Sequence, residues 1–115
     1  AGKSWPRDEV AAKGEKSMFT VLPPQPGFAE QVFFHQGANQ AVLSSRAATV
    51  RMDWDGEALP CFTQWNMFGQ GEYVLGLEPG NCHPVGRSAY MASSEAEYLE
   101  PGQVKHTRLS FSVEG

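Results

Sequence analysis

Long apolar runs are missing from this chain of 115 residues, and so is any excess of basic charge. No stretch approaches the ~18 consecutive apolar residues of a membrane span, and the opening AGKSWPRDEV lacks both an initiator Met and the apolar core of a signal peptide. Nine basic against 13 acidic side chains give a net charge of −4 with no Lys/Arg stripe, which argues against a nucleic-acid surface. Cysteine is scarce as well: Cys61 and Cys82 form no CxxC and cannot make a secreted disulfide scaffold, so a reduced, cytoplasmic protein is expected. His35, Cys61, Cys82, His83 and His106 do not fall into metal-ligand spacings, and neither a metal nor another cofactor is expected. Nothing after Trp5 demands a long helix. One domain at most fits this length.

What is present is a series of short β-forming runs separated by turn chemistry. Residues 1–27 read as a polar segment, with a short helix from Pro6 through Val10 and Ala12, followed by the Pro-rich connector Leu22 to Gly27. Residues 28–115 read as the β portion. Ala29 to His35 and Gln40 to Ser44 flank the turn-prone Gln36-Gly37-Ala38-Asn39 and read as a hairpin. In Ala48 to Trp54, Ala48, Val50, Met52 and Trp54 alternate with Thr49, Arg51 and Asp53, which predicts a strand with one buried face. Asp55-Gly56 is a hairpin-type signal before a strand from Leu59 to Met67, and Gly69 and Gly71 turn the chain into a strand beginning at Tyr73. Gly86 to Glu95 reads as loop. A last strand over Val104 to Val113 alternates Leu109, Phe111 and Val113 with polar residues, so Trp54 and Phe111 are expected in the core. The pattern predicts an all-β protein with an antiparallel β-sandwich.

The stretch Tyr73 to Pro84, YVLGLEPGNCHP, concentrates the candidate chemistry. Alternation puts Tyr73, Leu75 and Leu77 on one side of the strand and Val74, Gly76 and Glu78 on the other. Pro79-Gly80 is expected to end the strand at Glu78 in a type II turn. Leu99 to Gly102 repeats the four residues LEPG, and a turn shared by both copies is the simplest reading. Asn81, Cys82, His83 and Arg87 then follow the carboxylate closely. Asn81, His83 and Arg87 have groups suited to sugar hydroxyls, Gln64 and Trp65 could hydrogen-bond and stack on a sugar ring, and Trp65 could equally fill the core.

QWNMFGQGEYVLGLEPGNCHPVGR followed by YLEPGQVKHTRLSFSV, with EQVFFH upstream, resembles the C-terminal end of aldose 1-epimerase-like proteins of the galactose mutarotase superfamily. The resemblance runs from about Gly27 to Val113. It implies a large β-supersandwich of which this chain is the C-terminal third, a hexose or related aldose as substrate, and Glu78 as the general base. The general acid of that family is a histidine from an earlier part of the domain. Interconverting anomers requires a base at the C1 hydroxyl and an acid at the ring oxygen, and a carboxylate and an imidazole suit those roles.

Three classes are therefore expected: part of an aldose epimerase-like enzyme, a non-catalytic carbohydrate-binding module, or a structural β-domain with Glu78 in a salt bridge. The expected partners are a monosaccharide and either the remainder of the same domain or a second chain. Uncovered apolar faces and unpaired edges in such a portion predict self-association.

Overall fold

The structure, a computed structural model, describes residues 2–115. Seven strands form two antiparallel sheets, with few helical residues, so the protein is an all-β sandwich. The first sheet contains β1 (Lys3–Pro6), β2 (Gln31–Gln36), β5 (Cys61–Phe68) and β6 (Tyr73–Gly80), in that spatial order. The second contains β3 (Gln40–Ser44), β4 (Thr49–Trp54) and β7 (Leu109–Glu114). Side chains of β5 alternate between the two faces of the first sheet. Phe62, Gln64, Asn66 and Phe68 share the inner face, and Thr63 and Trp65 share the outer one. Trp54 of β4 stacks on Phe62 of β5 at 5.0 Å between ring centroids, joining the two layers.

Residues 2–27 take part in this packing. Asp8 caps α1 (Glu9–Lys13) by accepting a hydrogen bond from the Ala11 amide at 3.0 Å, and a 3-10 segment over Glu15–Met18 follows. Ala11 and Met18 close over Phe33 of β2, which is fully buried. The helix expected from Pro6 is thus displaced: Pro6 ends β1, and its missing N–H is tolerated because β1 lies at the edge of the sheet.

Two expected hairpins are corrected. β2 and β3 lie in different sheets, because β2 is buried from Val32 to His35 and takes a neighbour on each edge, β1 and β5. Gly37, with φ 81°, turns the chain out of the first sheet. Asp55-Gly56 likewise makes no hairpin: Asp55 Oδ1 accepts from the Glu57 amide at 3.0 Å, an Asx-type turn that sends the chain back to the first sheet. The hairpins that do form are β3–β4, closed by Ser45 and Ala48, and β5–β6, closed by Gly69 and Glu72. Residues 86–95 are not all loop, since α2 occupies Arg87–Ala92. The last strand begins at Leu109, and Phe111 on it is 70 % exposed, not core.

The two LEPG copies adopt different conformations, which overturns the shared turn. β6 runs on through Pro79, opposite Phe62, to Gly80, opposite Cys61, so the strand does not end at Glu78. Gly80 is not among the glycines with positive φ. Proline is tolerated there because β6 is the other edge of the first sheet. At the second copy Gly102 has φ 81° and the Gln103 amide donates to the Glu100 carbonyl at 2.9 Å, as a type II turn requires. Gly102→Ala should therefore cost about 1 kcal/mol. Gly80→Ala, whose new Cβ would meet only ordinary contacts with Cys82, should be neutral or slightly stabilising. Urea midpoints of the two variants check the contrast, and equal losses would contradict it.

Candidate functional site

On the outer face of the first sheet, Trp65 lies directly opposite Gly76, and Thr63 opposite Glu78. Glu78 is exposed and makes no hydrogen bond or ion pair among the described residues. Its carboxylate folds back over Gly76, where a Cβ would collide with Glu78 Oε2 and press on Trp65 Cβ at 3.1 Å. Glycine at 76 thus lets a free carboxylate lie against the sheet beside a half-buried indole. The indole is fixed from the other side, because Trp65 Nε1 donates to Glu30 Oε2 at 2.7 Å. Arg7 in turn reaches Glu30 Oε1 at 3.6 Å and Asp8 Oδ2 at 2.9 Å. These are surface ion pairs of small individual worth, but they orient one ring. Glu30, a strand-edge charge with no role legible in the residue order, is the residue that sequence reasoning missed. Its relation to Trp65 depends on the β2–β5 register, which places Val32 opposite Trp65.

Gln64 is on the opposite face, a correction to its expected pairing with Trp65. It is buried in a chain of polar contacts. Ser4 Oγ donates to His35 Nδ1 at 2.7 Å, and His35 Nε2 donates to Gln64 Oε1 at 3.0 Å. Gln64 Nε2 donates to the Met18 carbonyl at 2.8 Å and to Asn66 Oδ1 at 3.0 Å. Asn66 Nδ2 donates to the Ser17 carbonyl at 2.9 Å, and Ser17 Oγ also contacts Gln31 Oε1. Gln64 oxygen can only accept, so the His35 proton is assigned to Nε2. A cavity of about 390 Å³ between the sheets borders this chain, lined also by Leu43, Phe62, Leu75 and Leu77. Both functional groups of the Gln64 amide are engaged within the protein, leaving it unsuited to holding a substrate.

The remaining candidates do not converge on Glu78. His83 packs on Phe34 at 4.5 Å and edge-on to Trp5 at 5.2 Å. Both of its ring nitrogens are shielded and, among the described residues, without a hydrogen-bond partner. Phe34, Thr63 and Glu78 form one cross-strand row, so the positions of Phe34 and Glu78 are two strand spacings, about 10 Å, apart. The expected sugar contact from His83 is therefore not available in this arrangement. Asn81 donates to Glu97 Oε1 at 3.3 Å, and Arg87 opens α2 as an exposed residue with no ion pair among the described residues. His83, Cys61, Cys82 and Glu95 line a smaller cavity of about 220 Å³. Among the described residues no group of three or more His, Cys, Asp or Glu is placed to hold a metal ion, and no helix is long and apolar enough to cross a membrane.

Two antiparallel sheets with a Trp–carboxylate surface on one outer face define an all-β protein of the sandwich class. The family described as Domain of unknown function (DUF4432) matches residues 1–113, and the chain belongs to it. Neither a curated protein nor a solved structure matches the chain.

Burial lowers the pKa of His35 below its ordinary 6.5, partly offset by the Gln64 hydrogen bond, and burial lowers that of His83 in the same direction. Below 6.5 the unfolded chain then binds more protons than the folded one, so stability present above that pH is lost as pH falls. His35 should contribute a slope of up to about 1.4 kcal/mol per pH unit. Urea unfolding at pH 7 and pH 5 should show a smaller loss for His35→Gln than for the parent. Equal losses, or a folded-state His35 resonance titrating above 6.5 by NMR, would contradict this.

Proposed function

We propose that the outer face of the first sheet is one wall of a monosaccharide site and that the chain is the C-terminal part of an aldose 1-epimerase-like domain. The observation that supports this best is the Trp65–Gly76–Glu78 cluster: a half-buried indole, fixed by Glu30, beside an exposed carboxylate with no partner among the described residues. An indole face suits the apolar C–H face of a pyranose. The free carboxylate suits the hydroxyls at its edge, as hydrogen bonds to a charged acceptor are among the stronger ones.

In this reading Glu78 takes the proton of the C1 hydroxyl while an acid protonates the ring oxygen. The ring opens, the C1–C2 bond rotates, and closure on the other face of C1 returns both protons. Each positioned group of this kind contributes ~10² to 10⁴ in rate. The acid is assigned to a histidine outside this segment, in the rest of the domain or in a partner chain. No cofactor is needed for the step. Free thiols at Cys61 and Cys82 support a reducing, cytoplasmic setting. The packing of His83 against Phe34 and Trp5 favours a second reading, in which this chain alone binds the sugar without turning it over.

The test is titration of the chain with a panel of aldoses by NMR, with anomer exchange recorded in the same samples. Binding is expected in the parent and should weaken at least about tenfold in Glu78→Gln and in Trp65→Ala, each of which removes about 1.4 kcal/mol or more of contact. Gly76→Ala should weaken it too, by pushing the carboxylate off the sheet. Anomer exchange above the spontaneous rate that disappears in Glu78→Gln marks the enzyme, and binding without such exchange marks the module. Aldose affinity unchanged by all three substitutions would sink both readings.

A further inference from the structure

The free edge of β7 carries the features of a self-pairing strand. β7 ends the second sheet, and all six of its residues are exposed. The edges of the first sheet each contain a proline, Pro6 on β1 and Pro79 on β6, which blocks further pairing. β7 contains none. Which of its backbone groups face outward follows from the ladder. The Asp55 amide donates to the Arg108 carbonyl at 3.2 Å, so Arg108 and the residues alternating with it point their N–H and C=O groups at β4. The Trp54 amide instead donates to the Asn39 carbonyl on the β3 side at 3.0 Å, in agreement with that alternation. Leu109, Phe111 and Val113 therefore direct their backbone groups into solvent.

We propose that β7 pairs antiparallel with β7 of a second copy of this chain, about a two-fold axis at Phe111. This register sets Phe111 opposite Phe111, and Leu109 opposite Val113 at both ends, so that all the outward backbone groups meet in reciprocal hydrogen-bonded pairs. On the other face it sets Arg108 opposite Glu114 of the second copy, twice. Sliding the strands by two residues in either direction separates that charge pair and leaves one outward residue without its partner. Charge and backbone geometry thus select the same register. The apolar row of Leu109, Phe111 and Val113, which are 45, 70 and 64 % exposed, continues across the junction, and the phenyl rings become cross-strand neighbours. Glu114 lies 4.0 Å from Arg51 of its own sheet, so each end of the junction holds a carboxylate between two guanidinium groups.

Sedimentation equilibrium of the whole chain across a concentration series tests this. The parent should reach twice its 12.6 kDa mass. Phe111→Pro removes an N–H that makes no bond within the chain, and should stay at the monomer mass with its circular dichroism retained. Arg108→Glu and Glu114→Arg should each raise the dimer dissociation constant at least about tenfold, since each puts like charges opposite one another. An equimolar mixture of the two should recover the parent dimer, because every junction then joins unlike charges. A parent that stays monomeric, a mixture no tighter than its components, or a Phe111→Pro variant as dimeric as the parent would each overturn the proposal.

Discussion

Two buried amides hold the first sheet in register. Gln64 and Asn66 sit in the sandwich interior on β5, where a polar group without a partner costs about 1–3 kcal/mol. Their donors reach the carbonyls of Met18 and Ser17, and the Gln64 oxygen accepts a hydrogen bond from His35 Nε2. A slip of one residue would turn both amides to the outer face and bring Thr63 and Trp65 inward. The Met18 and Ser17 carbonyls and the His35 ring would then lose these partners together. The 3-10 segment over Glu15–Met18 is held by the same contacts, so the N-terminal region and the central strand fix one another.

That register decides what chemistry each face presents. The inner face has a His and two amides, but their hydrogen-bonding groups serve one another and the backbone. The outer face has fewer polar groups, yet Glu78 is left free and Trp65 is oriented from behind by Glu30. A surface that binds a ligand needs groups that are held in place without being satisfied. On the outer face Trp65 is held by Glu30, and Glu78 beside it is unsatisfied among the described residues, whereas the amides of the inner face are engaged. His83 illustrates the contrast from the other direction: it is on the outer face, but its ring is consumed in packing against Phe34 and Trp5, and burial keeps it neutral near pH 7.

The strands that alternate strongly were legible in the residue order. β4, β6 and the Gly69-Gly71 turn into β6 follow from period-two patterning and glycine placement, as does the assignment of Glu78 and Gly76 to one face. Which strands are neighbours was not legible. Short connections usually join paired strands, yet those after Gln36 and after Trp54 cross between sheets, because β2 and β5 bury both faces and are filled from both edges. The conformation of LEPG was hidden for a related reason: Pro79 fits a strand only at a sheet edge, and edge position is a property of the assembled sheet. The cross-strand proximity of Trp65 to Gly76 and Glu78 depends on the β5–β6 register and was not legible, and Gln64, adjacent to Trp65 in sequence, is separated from it by the thickness of the sheet. Phe111 has the alternation of a core residue, but the layer that would cover it is not supplied by the first sheet.

The two sheets consequently carry different physical demands. On the second sheet, Leu43, Val50 and Val113 form one cross-strand row, and Ala41, Met52 and Phe111 the next. Trp54 reaches Phe62 beyond these rows, but Phe111 and Val113 remain largely in water. Exposed apolar area is unfavourable at roughly 25 cal/mol per Å², and an unprotected edge beside it favours association over isolation. The Trp65–Glu78 surface is on the far side of the first sheet from these rows, and its own edge strand β6 is blunted by Pro79. The proposed pairing through β7 would therefore leave that surface open, so that self-association and a free Glu78 place no competing demands on the fold.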